Sequence, residues 1–270
     1  MRTAVAELDV TRATSLDHAL GLMGSGDRTP LAGTTDLYVE LNFGILKPRK
    51  FVDIWALDEL RAISLRGDTL VLGALASFTS LTHSPLVQAR LPMLVEAARL
   101  VGGIQIQNRG TLGGNIANAS PAGDSLPVLA AVDAVLVLRS AGAERRVPFT
   151  EFYTGYRQSV RRPDELIVAV EVPPVEGAQF FRKVGTRAAL AISKIVMAAV
   201  KGAEPRIAFG SVAPTVVRVR KTERALADGT HIEDVVRILE KEIAPIDDLR
   251  SSAAYRRQVA GNLLRRFWNT

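Results

Sequence analysis

Apolar residues recur along the chain with two different periods, and the alternation between them sketches the fold. Residues 15–22 read as a short helix capped near Ser15 or Asp17. Residues 29–32 look like the end of a strand, 33–35 like a loop, 36–41 like the start of a helix, and 51–54 like a strand. Leu65, Leu70, Leu72 and Leu75 alternate with polar or small residues about Arg66-Gly67-Asp68, which predicts a hairpin. Leu91, Leu94, Val95, Ala98 and Val101 then take helical spacing, predicting a helix over 92–100. Further on, 126–132 reads as a helix, and 134–138 and 165–172 as strands.

The turn-rich stretch 173–177 is the best candidate domain boundary. Three strand-like runs follow, at 180–184, 192–200 and 206–212, and then three helices at 221–227, 232–243 and 253–267. The apolar faces of the last two helices, Ile232/Val235/Val236/Leu239/Ile243 and Tyr255/Val259/Leu263/Phe267, read as packing on the neighbouring sheet. The order of elements predicts an α+β protein and not a doubly wound sheet.

One stretch breaks the pattern. Residues 102–124 read GGIQIQNRGTLGGNIANASPAGD, with six glycines, three asparagines and two charged side chains. A loop this long is uncommon in a compact domain and is usually functional or disordered. Ile104, Ile106, Leu112 and Ile116 punctuate it, which argues against disorder. Gly110, Gly113, Gly114 and Gly123 would let backbone lie flat against a ligand, and Thr111, Asn115, Asn118 and Ser120 supply neutral donors. Such groups can bind a diphosphate without lysine. Asp124 would repel phosphate, so its expected task is to face ribityl or ribose hydroxyls or to cap the helix beginning at Ser125. A second loop, 31–36 (LAGTTD), joins a strand to a helix and outlines an anion site.

Composition narrows the chemistry. The 270 residues contain no cysteine, which excludes disulfides, thiolate metal sites and an iron–sulfur cluster held by this chain. The three histidines, His18, His83 and His231, are far apart, so a metal site is not expected. The net charge of +6 suits a mixed-charge surface, since the arginines of the C-terminal third alternate with acidic residues, so nucleic acid is not an expected partner. No apolar run is long enough for a membrane span, and the N-terminal stretch has no signal-peptide core, so the expected compartment is cytoplasmic. The Rossmann glycine motif in its βαβ context, the P-loop and the nucleophile elbow are all absent.

LAGTTD at 31–36 together with GIQIQNRGTLGGNIANASPAGD at 103–124 resembles the FAD-binding (medium) subunit of the molybdenum hydroxylases, the xanthine dehydrogenase and carbon monoxide dehydrogenase flavoprotein family. RKVGTRAALAIS at 182–193, GSVAPT at 210–215, PIDDLR at 245–250 and YRR at 255–257 agree, so the resemblance covers essentially the whole chain. It implies a two-lobed PCMH/VAO-type FAD-binding domain, residues 1–57 and 58–174. A C-terminal α+β domain, 175–270, would follow, with a three-stranded antiparallel sheet and helices.

By resemblance, the diphosphate would lie between Leu31, Ala32, Gly33, Thr34, Thr35, Asp36 and Leu37 on one side and Thr111, Leu112, Gly113, Gly114 and Asn115 on the other, with Gly110 also among the cofactor-binding residues. Asn118, Gly123 and Asp124 would continue along the ribityl and ribose. Val101, Gly102 and Gly103 would lie near the flavin ring, and Leu166, Ile167 and Lys183 would approach its edge. FAD would be non-covalent, since the first loop has no histidine. Thr34 stands where relatives often have a second glycine, and the loop geometry is expected to survive. Gln107 replaces a frequent arginine. No residue of this chain is assigned a catalytic acid or base role. The implied function is electron transfer from 2Fe-2S clusters on a small subunit, through FAD, to an external acceptor. Substrate would be hydroxylated on a large molybdopterin subunit of a heterotrimer. The alternative is a stand-alone flavin-dependent oxidoreductase of the same wider fold.

Overall fold

The computed structural model describes residues 7–270. The chain opens with strand β1 (Asp9–Arg12), helix α1 (Leu16–Met23), strand β2 (Thr29–Leu31), helix α2 (Leu37–Phe43) and strand β3 (Lys50–Asp53). These strands form a parallel sheet in the order β1-β3-β2. Strand–helix alternation is thus present but confined to this first lobe, and of its elements the sequence pattern shows all but the first strand. The reason lies in β1, whose four residues are mostly exposed polar side chains without a period-two apolar face. Ser15 caps α1 as expected, accepting from the His18 amide, and Leu16, Ala19, Leu20 and Met23 bury one face.

The second lobe is built on a five-stranded antiparallel sheet. Its strands are β4 (Ile63–Arg66), β5 (Thr69–Gly73), β6 (Val135–Arg139), β7 (Glu144–Pro148) and β10 (Leu166–Val172), in the order β4-β5-β10-β6-β7. The predicted hairpin is β4–β5, and Gly67 turns it with a φ of +59° that favours glycine. A small separate hairpin joins β8 (Tyr153–Gly155) to β9 (Gln158–Ser159). Between β5 and β6 the chain is helical: α3 (Phe78–His83), α4 (Pro85–Arg90), α5 (Pro92–Arg99), α6 (Ile104–Arg109), α7 (Leu112–Asn118) and α8 (Leu126–Ala131). Residues 102–124 are therefore not one long loop. Two helices of six and seven residues run through them, joined at Gly110 and Thr111.

The C-terminal part holds β11 (Ala178–Val184), β12 (Ile195–Lys201), β13 (Arg206–Gly210) and β14 (Val217–Arg218), an antiparallel sheet in that order. The three expected strands are present, and the two-residue β14 adds a fourth at the edge. Helices α9 (Arg220–Ala227), α10 (Ile232–Glu242) and α11 (Ala253–Asn269) follow.

β12 is buried on both faces, which explains its unbroken apolar run. Val196, Ala198 and Val200 join the core of the second lobe. Ile195, Met197 and Ala199 join a second core with Leu239, Leu264 and Phe267 of the C-terminal helices. Successive side chains of a strand point to opposite faces, so one strand stitches two cores together. The three histidines are exposed, and among the described residues no group of His, Cys, Asp or Glu is arranged to hold a metal. No helix of the described residues is long and apolar enough to cross a membrane.

Candidate functional site

A cavity of about 1150 Å³ lies where the two lobes and the C-terminal part meet. Pockets for drug-sized ligands run to roughly 1,000 Å³, so this one has room for a dinucleotide. Its floor is made by the two small-residue segments.

Gly33 faces the carbonyl group of Arg109 so closely that a β-carbon on Gly33 would overlap it. The Arg109 guanidinium lies 3.8 Å from the centre of the Trp55 ring, and Arg61 lies 4.2 Å from the same ring. These contacts hold the first-lobe loop against the end of α6. The adjacent Thr34 has a φ of 66°, in the left-handed region. Threonine thus adopts a conformation natural to glycine, at a cost of about 1 kcal/mol.

Across from this loop, α7 is fixed at both ends. Thr111 caps it by accepting from the Gly114 amide at 3.1 Å. The Leu112 and Gly113 amides donate to the carbonyls of Ala76 and Ala74. A β-carbon on Gly113 would meet that of Ala74 at 2.7 Å, so glycine is required for this approach. Asn115 accepts from Ser125 at 2.7 Å. The buried Tyr153 hydroxyl donates to the Ile116 carbonyl at 2.9 Å, and burial pushes its ionisation up.

Most of the expected site residues line the cavity. They include Ala32, Gly33, Thr34, Thr35, Asp36 and Leu37 of the first loop. Gly110, Thr111, Gly113, Gly114, Asn115 and Asn118 contribute from the second. Val101, Gly102, Gly123, Asp124, Leu166 and Ile167 complete the set. Four expected residues lie outside the lining. Leu31 belongs to β2, and Leu112 is wholly buried in the core. Gly103 lies beneath Leu190, whose Cδ2 would come within 2.9 Å of an added β-carbon. Lys183 sits behind Asp124. Gln107 donates to the carbonyls of Arg99 and Val101, fixing the strip before Gly102.

Asp124 lines the cavity but does not cap α8, one of the two tasks its sequence context suggested. Both carboxylate oxygens hold protein partners: Lys183 Nζ at 2.6 Å on one, the Ser193 hydroxyl on the other. Ser125 occupies the N-cap of α8, with no side-chain cap bond. Burial pushes the Asp124 carboxyl up, and Lys183 and Ser193 oppose this by favouring the anion. Lys183 also donates to the Leu100 carbonyl at 2.9 Å. The pair ties the second lobe to β11 at the cavity wall.

Sequence reasoning missed several lining residues. Tyr156 and Arg157 form the tip of the β8–β9 hairpin, whose strands are too short to show a period. Arg161 is largely buried, which pushes its ionisation down, and donates to the carbonyls of Arg162 and Glu165. The C-terminal part adds Leu190, Ile192, Asp248 and Arg256. Arg256 is 3% exposed and donates to the Ser211 carbonyl and to Asp248, both at 2.7 Å.

Residues 6–175 match the FAD binding domain in molybdopterin dehydrogenase, and residues 180–270 match the CO dehydrogenase flavoprotein C-terminal domain. The carbon monoxide dehydrogenase medium chain of Hydrogenophaga pseudoflava is 34% identical over 93% of this chain and 91% of its own. The xanthine dehydrogenase FAD-binding subunit of Escherichia coli O157:H7 is 34% identical over 91% of this chain and 89% of its own. The glyceraldehyde dehydrogenase medium chain of Sulfolobus acidocaldarius is 31% identical over 94% of each. Among solved structures, carbon monoxide dehydrogenase from Hydrogenophaga pseudoflava superposes with a TM-score of 0.90 and 31% identity, over 96% of this chain and 95% of that one. Two interlocked glycine-rich segments, a dinucleotide-sized cavity and full-length similarity thus agree, and the chain belongs to the FAD-binding subunit family of the molybdopterin dehydrogenases.

Proposed function

We propose that this chain is the electron-transferring flavoprotein subunit of a molybdenum hydroxylase. Electrons released at a molybdopterin site on a large partner subunit would cross 2Fe-2S clusters on a small partner subunit and leave through this chain to an external acceptor. Bound FAD would supply a centre that takes up and releases electrons.

The observation that carries this reading is that the segments at Gly33 and Gly113–Gly114 line one cavity. Gly33 packs on the Arg109 carbonyl and Gly113 on Ala74 too closely for a β-carbon, so both segments present bare backbone, which fits a cradle for a diphosphate. The Thr111 cap and the Asn115–Ser125 bond hold the second segment in that shape before any ligand arrives. Asp124 and Lys183, with both charges already paired, keep the adjoining wall rigid. The chain has no cysteine, so iron–sulfur clusters would have to be held by a partner.

The test is direct. The purified chain should show a flavin absorption spectrum, or gain one with added FAD. It should also co-purify with a cysteine-rich small subunit and a molybdopterin subunit. A chain that takes up no flavin sinks the proposal. One that takes up flavin but has no such partners is a flavin protein of another kind.

A further inference from the structure

The tip of the β8–β9 hairpin reaches the cavity with an arginine and a tyrosine. Arg157 Nη1 donates to Asn118 Oδ1 at 3.1 Å, and the Asn118 amide donates to Asp36 Oδ1 at 3.1 Å. Arg157 also lies 3.7 Å from Glu40 of α2. Among the described residues, its other guanidinium nitrogens have no hydrogen-bond partner, and the side chain is 46% exposed. Tyr156 is 61% exposed and yet lines the same cavity, as do Asp36, Glu40 and Asn118. The hairpin is firmly mounted: Tyr153 packs edge-on against Phe149 and Phe152 and bonds the α7 backbone.

These groups have complementary chemistries. A guanidinium with free N–H groups binds phosphate oxygens. A carboxylate accepts from ribose hydroxyls, and an aromatic face stacks on a base. Asn118 ends α7, and Asp36 and Glu40 belong to the start of α2, so the hairpin tip meets both segments at the cavity. Without Arg157, the carboxylates of Asp36 and Glu40 would meet a diphosphate unopposed. Resting on the flavin reading above, we propose that Tyr156 and Arg157, with Asp36 and Asn118 facing them, form the adenosine-phosphate end of the site. They would make the chain select FAD over FMN.

Arg157→Gly isolates the guanidinium. Arg157 has a φ of 53°, a region that glycine occupies freely, so the hairpin keeps its shape. Affinities for FAD and FMN are measured by calorimetry on the deflavinated full-length chain, with ADP as a competitor of FAD where FMN binding is too weak to titrate. Wild type should prefer FAD. Arg157→Gly should weaken FAD, or ADP, about tenfold and FMN less than twofold, and Tyr156→Leu should act in the same direction. Unchanged FAD affinity overturns the proposal, and so does an equal loss of FAD and FMN, which would mean a scaffold role. A wild-type chain that binds neither flavin overturns the flavin reading, and this proposal with it.

Discussion

The α-carbon of Gly33, in the first lobe, lies against the carbonyl of Arg109, in the second, with no room for a β-carbon between them. The two lobes are therefore in register only while position 33 is glycine. Overpacking costs typically 1–3 kcal/mol. Backbone cannot swing aside as a flexible side chain can, so Gly33→Ala should fall near the top of that range. The expected outcome is a melting temperature lower by several degrees together with loss of flavin. An alanine variant that keeps full flavin content would show that the lobes slide freely at this point.

Thr111 holds the second segment by a single side-chain bond, to the Gly114 amide. Thr111→Val keeps the shape and removes the acceptor. The loss of the cap should cost about 1 kcal/mol. Flavin affinity should fall with it, because the Gly114 amide belongs to the segment proposed above to cradle the diphosphate. Thr111→Ser should retain most of both. Chemical denaturation and flavin titration of the two variants, side by side, provide the check.

Much of this architecture is legible in the sequence, and the exceptions have physical causes. The strand at 195–201 stands out because both of its faces are buried. The hairpin at Gly67 stands out because its turn needs a positive φ. The glycine-rich segment announces a ligand, but its helices are hidden: α6 and α7 are too short for a helical period, and α6 has no buried residue at all. β1 and the β8–β9 hairpin are too short and polar to declare themselves. Arg157 was invisible for that reason. The pairing of Asp124 with Lys183 and Ser193 is not legible because these partners stand 59 and 69 residues away along the chain.

The Asp124–Lys183 pair is buried, with side chains 9% and 7% exposed. Removing one member leaves the other charged and alone in a poor dielectric, which costs about 3–5 kcal/mol. Lys183→Met should therefore be severely destabilising, and Asp124→Asn should be costly too. The double substitution removes both charges and should recover a large share of the loss. A double-mutant cycle by urea denaturation measures this coupling. Simple additivity would mean that the pair contributes nothing as a pair.

Glu165 precedes β10 at the cavity wall and is almost wholly buried. Arg145 grips it through Nε at 2.6 Å and Nη2 at 2.9 Å, and the Arg162 amide adds a bond at 2.7 Å. The Arg145 hydrogen bond holds its carboxyl below the ordinary 4.5; burial opposes this, and the Arg162 amide assists. A carboxylate whose folded-state pKa is depressed binds its proton less readily in the folded chain than in the unfolded one. The stability it contributes is complete above 4.5 and is lost as pH falls through the lower, folded value. Glu165→Gln should therefore be less stable than wild type at about pH 6, and the gap should shrink at about pH 3.5. Urea unfolding of both proteins at the two pH values tests the sign. A gap that widens in acid would mean that the carboxyl is held above its ordinary range and that Arg145 is not its dominant partner.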